Sequence, residues 1–213
     1  MKLFARSALI AAVASASVFS TSAGAAPTIL TLTDVRGDAN AINGQSARPG
    51  MGNRSGPVQK ADSDIVSLTL ARTGTTKRVD GKKIFTCTGF TATMELAAPA
   101  GDNSNYRVAG VGVVNSFVFW LRYQSDPFGT KSYITYGDGD SPARGLSLKN
   151  PAQLIDNKII FSVTEADLTA TGEKLTSFRM SQIGADTRTS ARLAVPAWDE
   201  LDQDHSRSFK PCA

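Results

Sequence analysis

Residues 64–96 read DIVSLTLARTGTTKRVDGKKIFTCTGFTATMEL, and this stretch decides the fold. From Asp64 to Arg72, Val66, Leu68 and Leu70 alternate with Ser67, Thr69 and Ala71. From Phe85 to Leu96, Phe90, Ala92, Met94 and Leu96 alternate with Thr91, Thr93 and Glu95. A period of two sends successive side chains to opposite faces, so each half predicts a strand with one apolar and one hydroxylic face. The connection, TGTTKRVDGKK, holds Asp80-Gly81, a pair suited to a two-residue hairpin turn because both central residues of that turn need positive φ.

The same chemistry recurs outward from this hairpin. Ile29 to Thr33 alternates apolar and hydroxylic residues and predicts a short strand. Tyr106 to Tyr123 is longer and more apolar; its two glycines and Asn115-Ser116 predict two strands or one bent strand. Tyr133 to Tyr136, Lys158 to Val163 and Leu175 to Ile183 are further strand candidates, with Asp156-Asn157 as the turn before the second of these. Thr164-Glu165-Ala166-Asp167-Leu168 sets a hydroxyl cap with an acid three residues on, which predicts one short helical turn. No segment holds helical periodicity over three turns. The expected fold is all-β, an antiparallel β-sandwich of jelly-roll type, with one helical turn near 164–170. A Gly/Pro/Ser-rich mobile loop is expected at 43–60 and an irregular acidic tail at 196–213, within a single domain at 26–213.

Residues 1–25 carry Lys2 and Arg6, an apolar run from Ala8 to Phe19, and Ala23-Gly24-Ala25, the pattern of a secretory signal peptide cleaved after Ala25. The expected product is therefore secreted, to the extracellular space or the cell envelope, with no membrane span after cleavage. Loss of the leader reduces the formal net charge from +4 to +2, and the cations are scattered, which argues against a nucleic-acid partner. Cys87 and Cys212 are the only cysteines, and in an exported chain they predict one disulfide. It would pin the C-terminal segment to a strand.

For catalysis the residues offer little. The single histidine, His205, lies in the polar tail, away from any G-x-S-x-G elbow, and one histidine with an oxidised cysteine pair does not supply a zinc site. Paired carboxylates for glycoside hydrolysis are a matter of distance in space. Calcium is the better metal expectation, because it takes carboxylate, amide and carbonyl oxygens from loops. Such oxygens occur at Asp34, Asp38 and Asn40, at Asp138 and Asp140, and at Asp199, Glu200, Asp202 and Asp204. The ends of a domain tend to meet in space, which nominates Asp34, Asp38, Asp202 and Asp204 as ligands of one ion. Arg36-Gly37-Asp38, the tripeptide of adhesion ligands, reads as a turn after a strand. Sugar recognition would need planar aromatics outside the core; Tyr133, Tyr136 and Trp198, with Phe128 in the turn before Tyr133, are the candidates, whereas Trp120 is expected to pack inside.

The order of these features resembles a group of bacterial secreted β-sandwich domains related to DOMON and family 9 carbohydrate-binding modules. The resemblance runs from D-x-x-G-D-A-N at Asp34–Asn40, through D-I-V-S at Asp64–Ser67 and T-E-A-D-L at Thr164–Leu168, to the acidic tail. It implies a jelly roll, often calcium-stabilised, that binds sugar or in some members haem; His205 is poorly placed for haem. The resulting expectation is a non-catalytic module that binds a glycan or another cell-surface component. The alternatives are a glycan-active protein and a purely structural envelope protein.

Overall fold

The computed structural model describes residues 27–34, 36, 40–42, 54–57, 62–100, 104–112, 117–126, 128–138, 144–180, 182–189, 197–202 and 209–212. Its strands form two antiparallel sheets. The first comprises β1 (Thr28–Thr33), β4 (Ile65–Val79), β5 (Lys82–Leu96), β10 (Asn150–Ile155) and β11 (Lys158–Thr164), in the order β1-β4-β5-β11-β10. The second comprises β2 (Asn40–Ile42), β3 (Arg54–Pro57), β6 (Ser104–Gly112), β7 (Phe117–Asp126), β8 (Gly129–Asp138), β9 (Arg144–Ser147), β12 (Gln182–Thr189) and β13 (Ala197–Asp202), in the order β3-β2-β13-β12-β6-β7-β8-β9. Among the described residues the fold is all-β with one short helix, α1 (Glu165–Ala170).

The hairpin read from residues 64–96 is present. Asp80 and Gly81 both take positive φ, 50° and 76°, and Val79 faces Lys82 across them. Two irregularities interrupt the ladder: the pairing passes from Ile65↔Leu96 to Ser67↔Glu95, so Val66 is an extra residue in a bulge, and from Thr73↔Gly89 to Gly74↔Cys87, where Thr88 is the extra one. Ile65 takes the fully buried place that alternation assigns to Val66, and the buried row continues through Leu68 and Leu70. Gly89 leaves no room for a side chain beside β11, since a Cβ there would lie 2.1 Å from the Val163 carbonyl oxygen.

Around α1 the expected cap is complete. The Thr164 hydroxyl accepts from the Asp167 N–H, and the Asp167 carboxylate accepts the Thr164 N–H at 2.9 Å. Buried Asp167 also accepts the Lys149 N–H at 2.9 Å, which ties the β9–β10 corner to the helix. Two segments expected to be irregular contribute strands: β3 lies inside 43–60 and β13 inside 196–213. The expected strand from Leu175 to Ile183 is instead a turn at 175–177 and a bridge from Met180 to Phe209, and β12 starts at Gln182. Residues 106–123 divide into β6 and β7, the two-strand reading.

Both sheets feed one core. Leu68, Leu70, Phe90, Met94 and Phe161 come from the first, and Phe119, Leu121, Ile134 and Ile183 from the second. Phe178, from the segment after α1, stands between them: its ring stacks on Phe90 with centroids 6.1 Å apart and meets Phe119 edge-on at 5.3 Å. On the Phe90 strand, Cys87 forms the expected disulfide with Cys212, with Cα atoms 5.5 Å apart. Because Phe178 is 2 % exposed and touches both layers, Phe178→Ala is expected to destabilise the fold by about 3–5 kcal/mol in urea titration. Replacing both cysteines by serine reopens a loop with a sequence separation of 125. The expected loss is about 4–5 kcal/mol in the same titration, provided the unfolded chain is otherwise unchanged.

Candidate functional site

Two surfaces collect the chemistry that the core leaves outside. The first is the outer part of the β4–β5 hairpin. β1 accompanies β4 as far as Ala71, where the Arg72 N–H still donates to the Pro27 carbonyl, and β11 accompanies β5 only from Gly89 to Glu95. Beyond those points, among the described residues, the two strands pair only with each other, from Gly74↔Cys87 to Val79↔Lys82. Six residues of strand carry this ribbon about 20 Å past the sheet.

Every residue from 74 to 86 is exposed. The ribbon nevertheless holds Val79 (48 % exposed), Ile84 (48 %) and Phe85 (37 %), alongside Lys77, Arg78, Lys82 and Lys83. Paired residues share a face, so Thr76, Phe85, Arg78 and Lys83 lie on one side and Lys77, Ile84, Val79 and Lys82 on the other. Each side thus mixes cationic and apolar groups. None of the four cations makes an ion pair among the described residues. Arg78 stands directly opposite Lys83, an arrangement that disfavours the hairpin on its own. A free two-stranded hairpin is marginal in water; here the ribbon continues strands buried in the sheet, and the Cys87–Cys212 bond sits at its root.

The second surface is the outer face of β7 and β8. Phe119, Leu121 and Tyr123 point into the core, so Trp120, Arg122 and Gln124 point out, and Ile134 and Tyr136 leave Tyr133 and Thr135 on the same outer side. Trp120 is therefore half-buried on the outer face, contrary to the expectation that it packs inside. The Arg122 guanidinium lies 5.4 Å from the Tyr133 ring centroid, and the Tyr133 hydroxyl donates to Gln124 Oε1 at 3.3 Å. Tyr133 also lines an open cleft of about 490 Å³ with Lys131, Ser132, Ser147 and Pro151.

The remaining expected site residues distribute as follows. Tyr136 is 9 % exposed and belongs to the core, because its strand parity matches Ile134; this corrects its nomination as a ligand contact. Trp198 pairs with Arg188 and Asn40 in the second sheet. The two ends of the domain do meet: the Asp34 N–H donates to the Val66 carbonyl at 3.0 Å, and Asp199 Oδ2 accepts the N–H of the adjacent Ile65 at 2.6 Å. Asp199 is 3 % exposed, so this acid from the supposed tail is a buried link between the two sheets. Beside it the Thr187 hydroxyl donates to the Ser63 carbonyl. Asp202 ends β13 opposite Gly184, and Asp38, Asp204 and His205 lie outside the described residues, as does the stretch 1–25 expected to be a leader. Among the described residues no group of three or more His, Cys, Asp or Glu side chains is placed to hold a metal ion. Glu95, half-buried, faces Lys158 at 3.9 Å and Asn157 at 3.5 Å.

No family model matches this chain, and neither a curated protein nor a solved structure matches it. The resemblance to DOMON and family 9 modules stays one of sequence order. Among the described residues no helix is long and apolar enough to cross a membrane.

Proposed function

We propose that the chain is an exported, non-catalytic β-sandwich that works as an interaction module at the cell surface, and that the β4–β5 ribbon is its working part. One observation carries this reading: a disulfide-rooted ribbon projects from the first sheet and holds three large apolar side chains and four cations in solvent. Apolar groups in water at the tip of an ordered element gain free energy when a partner covers them. The leader-like residues 1–25 and the cysteine pair supply the exported setting.

The module reading is tested by retention of the purified protein on envelopes isolated from the cell that makes it. Combined replacement V79S/I84S/F85S is expected to reduce retention by at least about tenfold. The melting temperature should stay within a few degrees, because all three residues are exposed. Retention unchanged by that variant overturns the reading.

A second reading, glycan recognition, is favoured by the outer face of β7 and β8, where Trp120 and Tyr133 flank Arg122 and Gln124. Aromatic planes beside hydrogen-bonding amide and guanidinium groups are what a pyranose ring requires. On affinity electrophoresis in polysaccharide gels, Tyr133→Ala is expected to abolish any retardation that the parent shows. Retardation kept by Tyr133→Ala removes this site.

A further inference from the structure

We infer that the partner of the ribbon is the headgroup layer of an anionic phospholipid bilayer; this rests on the module reading above and names the surface that the module meets. Three observations converge. Lys77, Arg78, Lys82 and Lys83 stand against one acid, Asp80, so the ribbon carries a net charge of +3 on a protein whose charge is otherwise mixed. Arg78 and Lys83 face each other, and no carboxylate among the described residues pairs with either, so an external anion relieves a repulsion built into the register. Val79, Ile84 and Phe85 alternate with those cations on both faces of the ribbon.

The last point selects among anions. A soluble polyanion, whether nucleic acid or sulfated glycan, satisfies the charges and leaves Val79 and Ile84 in water. A folded acidic protein takes both kinds of group only through a complementary pocket. A bilayer interface offers phosphate at one depth and acyl chain just below it, so a narrow element mixing cations with apolar groups places each in its preferred layer. The ribbon suits this geometrically. It extends about 20 Å from the sheet, so it can reach the acyl boundary while the domain stays in water. Its edges are the difficulty, because unpaired strand N–H and C=O groups need water or headgroup oxygens. The ribbon is therefore expected to stop in the headgroup layer and not to cross it.

The test is cosedimentation of the disulfide-intact chain with vesicles of phosphatidylcholine alone or with about one third phosphatidylglycerol. Binding to the anionic vesicles is expected to be at least about tenfold tighter, and to weaken as salt rises from about 50 mM to about 500 mM. The variant K77Q/R78Q/K82Q/K83Q should lose the anionic preference. The variant V79S/I84S/F85S should keep the salt dependence but bind at least about fivefold more weakly. Melting curves of both variants check folding, and if one fails to fold the other carries the test. Equal binding to the two vesicle types overturns the inference, as does binding that survives the four-glutamine change. So does retention on a soluble polyanion that the serine variant leaves intact when vesicles are not bound. If envelope retention needs the ribbon and the vesicles do not bind, the lipid partner falls while the module stands; if neither binds, both fall.

Discussion

The register of β4 against β5 is the constraint on which the rest depends. Asp80 and Gly81 both adopt positive φ in a two-residue turn, which matches the right-handed twist of the flanking strands. That turn aligns Val79 with Lys82 and the ribbon down to Gly74 with Cys87; the extra residue Thr88 then shifts the ladder by one, so that Leu70 meets Ala92 and Leu68 meets Met94. A slip of one residue along either strand would send its row of core side chains into water and its hydroxyls into the core. The same register brings Phe90 to Phe178 and Cys87 to Cys212. The turn sets the order of groups along the ribbon, and the turn and the Thr88 bulge together set the inner face of the first sheet.

What could be read from residues was what local chemistry determines. The 64–96 hairpin, the Thr164–Asp167 cap and the cysteine pair are each specified by neighbours in sequence or by elimination. The errors lie where distant pairing decides. β13 reads as acidic and irregular, yet β12 and β2 hydrogen-bond to it on either side, and Asp199 buries its carboxylate against a backbone N–H. In FVFWLRY the apolar residues occupy both parities, so only the pairing with β8 reveals that Phe119 and Leu121 point in and Trp120 out. Val66 and Ile65 exchange roles because a bulge shifts the parity, and nothing in the local composition marks it.

The ribbon was hidden for a different reason. In the sequence, residues 73–83 read as the connection of the hairpin, whereas β4 and β5 run through them to Asp80-Gly81 and carry Val79, Ile84 and Phe85 outward. They are exposed because β1 and β11 stop short, a fact about neighbours and not about these residues. The convergence of chain ends, by contrast, was expected and is found: Asp34 and Asp199 reach successive residues of β4. Asp199 serves there as a hydrogen-bond acceptor for the backbone, and this ties the second sheet to the first at the end of β4 remote from the ribbon.

The Cys87–Cys212 bond also orders events in time. Its two thiols are separated by 125 residues, so the earlier one waits through the synthesis of every strand from β6 to β13 before its mate exists. Covalent closure consequently follows the synthesis of those strands. With no third cysteine in the chain, a Cys87 oxidised ahead of schedule could bridge only to another molecule.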